Sequence, residues 1–323
     1  QGALDAQFTP GDKELFLDYL RSEGYLTKDD FKYIGAEGRE PTVNPGAGID
    51  PGEGVWSKPY PMTDILKSGT WKVLKSISAL DQQRTMFQPV GGMDRIAKGF
   101  EGAVGHMIRY NAKVKSFRQN DKGVVVTYED EDGQIAKVKA DYCICTIPLS
   151  VLRQMDVEVS KPFKQAIGEV SYALVGKIGL QMKRRFWEED HHIYGGHIYT
   201  DNPEIGSMNL PSTGWQSKKG VILGYYQFGA QAAKVSALSP KERQALAGRA
   251  GDKVFEGYSA NIETSFSAAW HRIDHNLGGW AQWSDEERTK SYPILCEPDG
   301  RLYLAGEHLS YVTGWQAGGI ESA

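Results

Sequence analysis

The chain has 323 residues, 40% hydrophobic and 24% charged, with a formal net charge of -4. Those values suit a globular protein of about two domains and exclude collagen-like, coiled-coil and wholly disordered chains. The acidic balance gives no electrostatic basis for nucleic-acid binding, no apolar run nears the ~20 residues of a membrane helix, and three cysteines (Cys143, Cys145, Cys296) lack a four-ligand zinc pattern, so no metal is expected.

Residues 12–19 place Leu15, Phe16 and Tyr19 on one helical face. Thr27 in Thr-Lys-Asp-Asp reads as the N-cap of a second short helix. Residues 36–61, rich in proline and glycine, read as loop. Within them, residues 46–52 have the look of a dinucleotide fingerprint, but no strand precedes them and Pro51 interrupts any helix. A plain loop is expected there. Residues 62–86 read as helix, with Ile65, Leu66, Trp71, Leu74, Ile77 and Leu80 forming a buried stripe.

The pattern then changes to period two. Residues 106–119 and 123–129 read as strands joined by an Asn-Asp-Lys-Gly turn, and 134–139 as a third strand. Residues 141–147 read as a more buried strand with Cys143 and Cys145 on one face as free thiols, and Pro148 suits the start of a helix. Residues 171–182 read as one long strand with its even positions toward the core. Lys177 falls mid-strand on the other face, among small neighbours, as a partly solvated lysine or as an amine beside a flat ligand. Residues 221–226 read as an apolar strand, and Ser239-Pro240 opens a helix over 240–256. Residues 301–305 read as a short buried strand. The blocks 106–147 and 301–305 are expected to share one sheet, and 171–226 to form a second.

Two further stretches carry chemistry. The strand at 301–305 meets Gly306-Glu307-His308, and a glycine-rich turn, residues 314–319, then enters a helix. Ligands of open α/β sheets bind beyond such strand ends, and Glu307 suits a sugar or ribityl hydroxyl; the plainer reading is a cap and a tight turn. Trp270, Trp280 and Trp283 lie around Gly278-Gly279, as a stacking pocket for a planar ring or as ordinary core.

In their order these residues resemble the flavin-containing amine oxidase superfamily, most closely its L-amino-acid oxidase branch. Residues 89–94, Pro-Val-Gly-Gly-Met-Asp, resemble the family's Gly-Met-Asp helix entry. The strand through Val114 and the segment 141–148 resemble its ADP-side sheet. Lys177-Ile178 followed by Phe186-Trp187, then Trp270, Gly278-Gly279, Ala305-Gly306-Glu307 and Gly314-Trp315, follow the family's order.

The resemblance implies an α/β plus α+β fold. A partial FAD-binding domain (Rossmann-like, of the glutathione-reductase type) is interleaved with a mixed-sheet substrate-binding domain and a helical segment. It assigns 1–87 to the helical and loop segment, 88–148 and 269–323 to the FAD side, and 149–268 to the substrate side. Lys177 corresponds to the lysine that holds a water near the flavin. Tyr225 corresponds to the tyrosine that binds the substrate carboxylate. Trp280, Gly314 and Trp315 line the substrate site, and Val114, Trp270, Gly306, Glu307, Gln316 and Ala317 contact FAD. Trp280 stands where monoamine oxidases carry a flavin-linking cysteine, so the FAD is expected to be non-covalent.

The implied activity is oxidation of an L-amino acid by O₂ to a 2-oxo acid, ammonia and hydrogen peroxide. The implied partners are an amino acid or amine substrate and O₂, with homodimerisation open and no nucleic acid. The family's GxGxxG segment and carboxylate-binding arginine fall outside these residues, and a fragment cut at both ends is expected. The alternatives are a monoamine or polyamine oxidase of the same fold, and a non-catalytic fragment or aromatic-groove ligand-binding module.

Overall fold

The computed structural model describes residues 8–23, 25–33, 61–69 and 87–323. The chain divides into two compact units, Gln1–Gln82 and Gln83–Ala323.

In the first unit, helix Pro10–Ser22 starts at Thr9, whose hydroxyl and backbone exchange hydrogen bonds with Asp12 in a capping box. Leu15, Phe16 and Tyr19 do share a face, but an exposed one. The short helix expected after Thr27 does not form. The Thr27 hydroxyl instead accepts from the Lys32 N–H at 2.9 Å, and the Thr27 N–H donates to Lys32 O at 2.8 Å, closing a turn across the Leu26–Tyr33 bridge. Helix Met62–Ser68 stops at Gly69, which takes a left-handed φ of 68°. The stripe expected over 62–86 is therefore broken after about two turns. Its remainder, and the loop at 46–52, lie outside the described residues.

The second unit opens with helix Asp94–Val104 and a one-turn 3-10 helix, Gly105–Met107. The first strand thus begins later than period-two counting suggests. Strands β1 (Lys113–Asn120), β2 (Gly123–Glu129) and β3 (Ile135–Ala140) form consecutive hairpins, and β5 (Asp156–Val157) joins β1 in parallel. The intervening β4 (Cys143–Cys145) leaves that sheet. It pairs in parallel with β13 (Leu302–Leu304), in the register Cys143–Leu302, Ile144–Tyr303, Cys145–Leu304. The single sheet expected for 106–147 and 301–305 is therefore two: only β4 joins β13, and the hairpins at 113–140 form a separate sheet. Cys143 and Cys145 are free thiols, and burial pushes Cys145 up to about 11. Ile144, between them, is 67% exposed, as parity requires.

The predicted strand 171–182 is interrupted. β6 (Ser171–Tyr172) pairs with β12 (Ala281–Gln282), and β7 (Val175–Met182) enters a five-stranded antiparallel sheet. With β8 (Gly196–Tyr199), β9 (Ser207–Leu210), β10 (Gly220–Phe228) and β11 (Ile262–Ala269), its order is β11-β7-β10-β9-β8. Helix Pro240–Gly251 starts at Ser239 with a capping box to Glu242, as its sequence signals.

Two cores result. Ile178, Leu180, Met182, Ile222 and Tyr225 from the large sheet pack with Leu246 and Ala250 of the Pro240–Gly251 helix. Phe117, Cys145, Leu149, Phe163, Ile167, Leu295 and Leu302 form the other. Each fully buried large apolar side chain in them stabilises by about 1.5–3 kcal/mol.

Candidate functional site

β7 lies between β10 and β11, so its side chains have sheet on both flanks. Alternation sends Ile178, Leu180 and Met182 into the core and Lys177 to the opposite face, opposite Tyr226 of β10 and Ala268 of β11. The Lys177 ammonium sits 4.1 Å from the Tyr226 ring centroid. No carboxylate among the described residues pairs with it. Burial pulls its pKa below the usual lysine value.

Tyr225, which the resemblance matches to the carboxylate-binding tyrosine, does not share the Lys177 face. The β10 register shifts between Leu223, opposite Gly179, and Tyr225, opposite Ile178. Gly224 is the extra residue of this bulge, and a Cβ there would lie 3.0 Å from Leu180 Cγ. The bulge reverses the parity of everything after it. Tyr225 turns into the core, 2% exposed, and Tyr226 takes the Lys177 face. The signal available in the sequence was the isolated glycine within the strand.

Tyr226 starts an aromatic ridge. Its ring lies 4.4 Å from Phe228, and Phe228 meets Trp280 edge-on at 5.9 Å. Trp280 lies against Gly314, where a Cβ would come within 3.3 Å of the indole. Neither Tyr226 nor Phe228 carries a spacing motif that marks it. Burial raises the Tyr226 pKa, so its hydroxyl stays protonated, and it has no hydrogen-bond partner among the described residues.

Glu307 fixes the far end of this ridge. One carboxylate oxygen accepts the Ala281 N–H at 3.0 Å and the other the Gly314 N–H at 2.9 Å. The residue after Trp280 and the loop of Gly314 are thereby held by one side chain. Burial raises the Glu307 pKa, and the two N–H donors oppose that rise. The turn before Trp280 is held by the Gly279 N–H, which donates to Ala173 O at 2.8 Å.

Gly306 adopts φ 142°, and a Cβ there would lie 2.6 Å from the His308 ring. Only glycine suits that backbone. Its N–H donates to Ser322 Oγ at 2.7 Å, tying the strand end to helix Gln316–Glu321. Gly306, Glu307, Gln316 and Ala317 are thus gathered at the carboxyl end of β13, with Gln316 and Ala317 exposed and Trp315 half-buried before them. Trp270 is exposed at the start of the 3-10 turn Trp270–Arg272. Val114 is half-buried against the second core, and no described contact brings it to the ridge.

These residues fit a flat, polar-edged cofactor. The half-buried Lys177 amine, the exposed Trp270 indole and the glycine-only backbone at Gly306 are groups that can meet a planar ring and its polar edge.

Residues 65–323 match the family described as flavin containing amine oxidoreductase, and the chain belongs to that family. FAD is the family's cofactor. The chain is 30% identical over 265 residues to YobN of Bacillus subtilis (strain 168), covering 78% of this chain and 54% of that protein. It is 29% identical to L-amino acid oxidase Lm29 of Lachesis muta (77% and 49% covered). To the flavin-dependent L-tryptophan oxidase RebO of Lentzea aerocolonigenes it is 28% identical (72% and 50% covered). The chain spans about half the length of these curated relatives. Among solved structures, a putrescine oxidase variant shares the fold with a TM-score of 0.63 at 18% identity, over 72% of this chain and 51% of that one. Cyclohexylamine oxidase from Brevibacterium oxydans IH-35A does so at 0.60 and 16%, over 72% and 51%.

Proposed function

We propose that this chain carries the substrate side and part of the FAD side of an L-amino-acid oxidase. The reaction takes an L-amino acid, O₂ and water to a 2-oxo acid, ammonia and hydrogen peroxide. When bound, non-covalent FAD would supply the two-electron redox chemistry that couples oxidation of the amino acid to reduction of O₂. On this reading residues 88–148 and 269–323 serve the cofactor and 149–268 the substrate. Val114, Trp270, Gly306, Gln316 and Ala317 hold FAD, with Glu307 contributing the lone pairs its two N–H donors leave unused.

The observation that carries the choice of an amino acid over an amine is the polarity of the ridge. The polar groups left free along it are donors, the Lys177 ammonium and the Tyr226 hydroxyl. A substrate carboxylate satisfies such a hydroxyl, whereas the second ammonium of a diamine would face a like charge. Tyr226, in place of Tyr225, binds the carboxylate. Trp280, Trp315 and the Gly314 carbonyl border the α-carbon and amine and exclude water. Lys177 positions a water at the cofactor edge.

The test compares an L-amino acid with its decarboxylated amine on the FAD-loaded protein. The amino acid is expected to have a kcat/KM about 100-fold higher or more. Tyr226→Phe should raise KM for the amino acid alone, and Tyr225→Phe should leave it unchanged. Faster turnover of the amine overturns the reading in favour of an amine oxidase.

A further inference from the structure

Arg288 is the strongest feature that the proposed chemistry leaves unused. It sits in helix Asp285–Lys290, and its guanidinium lies among three aromatic rings. The distances to the ring centroids are 5.3 Å for Trp283, 4.5 Å for Tyr292 and 4.5 Å for Tyr311. The rings also support one another. Trp283 meets Tyr292 edge-on at 5.2 Å, and Tyr292 meets Tyr311 at 5.5 Å. One guanidinium nitrogen, Nη1, is buried with no hydrogen-bond partner among the described residues. A cation that forgoes a hydrogen bond to remain between ring faces is held there by those faces.

The three rings come from different places. Trp283 and Tyr292 flank the helix of Arg288, whereas Tyr311 belongs to the loop that continues to Gly314 and Trp315. Tyr311 is 79% exposed, so apolar burial does little to fix it. The same loop is held internally by the Val312 N–H, which donates to Ser310 Oγ at 3.1 Å, and by Glu307 at the Gly314 N–H. Nothing in the spacing of Trp283, Arg288, Tyr292 and Tyr311 announces the cage.

We infer that Arg288 is a positioning residue: by clamping Tyr311 it sets the place of the loop that presents Gly314 and Trp315 to the substrate. The loop's role at the substrate rests on the function proposed above, but the clamp itself does not.

The experiment is amide hydrogen exchange on the intact chain, comparing the native protein with Arg288→Met and Arg288→Lys. Methionine keeps the length and removes the cation. It is expected to speed exchange at Val312 and Gly314 about tenfold, leaving β7 and β10 unchanged. Lysine, which keeps a cation for the rings, should restore part of the protection. Tyr311→Leu provides the same test from an exposed position should Arg288→Met fail to fold. Unchanged exchange at Val312 and Gly314 in the folded variants overturns the clamp, as does loss of protection spread evenly over the chain. With FAD bound, Arg288→Met should raise the amino-acid KM severalfold and change kcat less. Faster exchange with an unmoved KM overturns the loop's substrate role. Preference for amino acid over amine, measured on the native protein, decides the proposed function separately.

Discussion

Replacing Glu307 with glutamine is the sharpest perturbation of the candidate site, because it changes one atom and leaves the shape. The carboxylate now receives two backbone N–H groups, Ala281 at 3.0 Å and Gly314 at 2.9 Å. A glutamine keeps one oxygen and sets its NH₂ against the other N–H, donor against donor. The loss is one charge-assisted hydrogen bond, about 1.5–3 kcal/mol, plus a partly buried N–H left unpaired, about 1–3 kcal/mol. Ala281 is fully buried and Gly314 exposed, so the amide oxygen should stay with Ala281 and leave the Gly314 N–H to water, which favours the lower ends, and about 2–3 kcal/mol is expected. With a urea slope of about 2–3 kcal/mol per M, the unfolding midpoint should fall by about 1 M. The assay is urea unfolding at pH 7 followed by tryptophan fluorescence, with exchange at Ala281 and Gly314 as the local readout. A Glu307→Gln midpoint matching the native protein, with both amides still protected, would refute the bridging role.

Other outcomes follow from neighbouring residues. Burial pushes His308 from 6.5 down to about 4, so the folded state holds it neutral while the unfolded chain protonates it. Stability should therefore fall as pH drops from 6.5 toward 4, by up to about 3 kcal/mol. Urea midpoints at pH 7 and pH 4.5 check this, and an equal fall in His308→Phe would contradict it. Gly318→Ala should cost about 1–3 kcal/mol, because its Cβ would overlap Ser310 Oγ and the Val312 carbonyl. A melting temperature within a degree of native would count against that packing. Lys177→Met should leave stability unchanged or slightly raised, since it removes a half-buried unpaired amine, while slowing turnover of the FAD-loaded protein. Unchanged turnover would remove Lys177 from the mechanism.

Local chemistry made much of this fold legible. Ser239-Pro240 signals its helix because a capping hydroxyl and a fixed proline φ act within one turn. The short apolar strands at 141–147 and 301–305 were each readable, and a shared sheet was expected for their blocks, but not that these two alone would pair. Lys177 was readable because strand parity alone puts it off the core. The errors arose where geometry departs from simple periods. Gly224 inserts one residue into β10, so Tyr225, matched by the resemblance to the carboxylate-binding tyrosine, faces the core and Tyr226 takes the Lys177 face. Gly69 ends a helix that apolar spacing would continue. The Thr27 hydroxyl found a partner across a turn instead of in a helix. The Arg288 cage joins residues 28 positions apart in sequence at its widest, Trp283 and Tyr311, and ring–cation attraction has no period to count.

The β4–β13 pair has a practical side. Parallel strands are normally covered on both faces. Here Ile144, Tyr142 and Tyr303 stand in solvent beside one another, with Tyr142 and Tyr303 in edge contact at 6.1 Å. Exposed apolar surface of this kind favours association, and among the described residues no third strand pairs with β4 or β13. In the test tube this makes colloidal behaviour a property of three side chains. Polar replacements at Ile144 and Tyr303 should therefore improve solubility without touching either core.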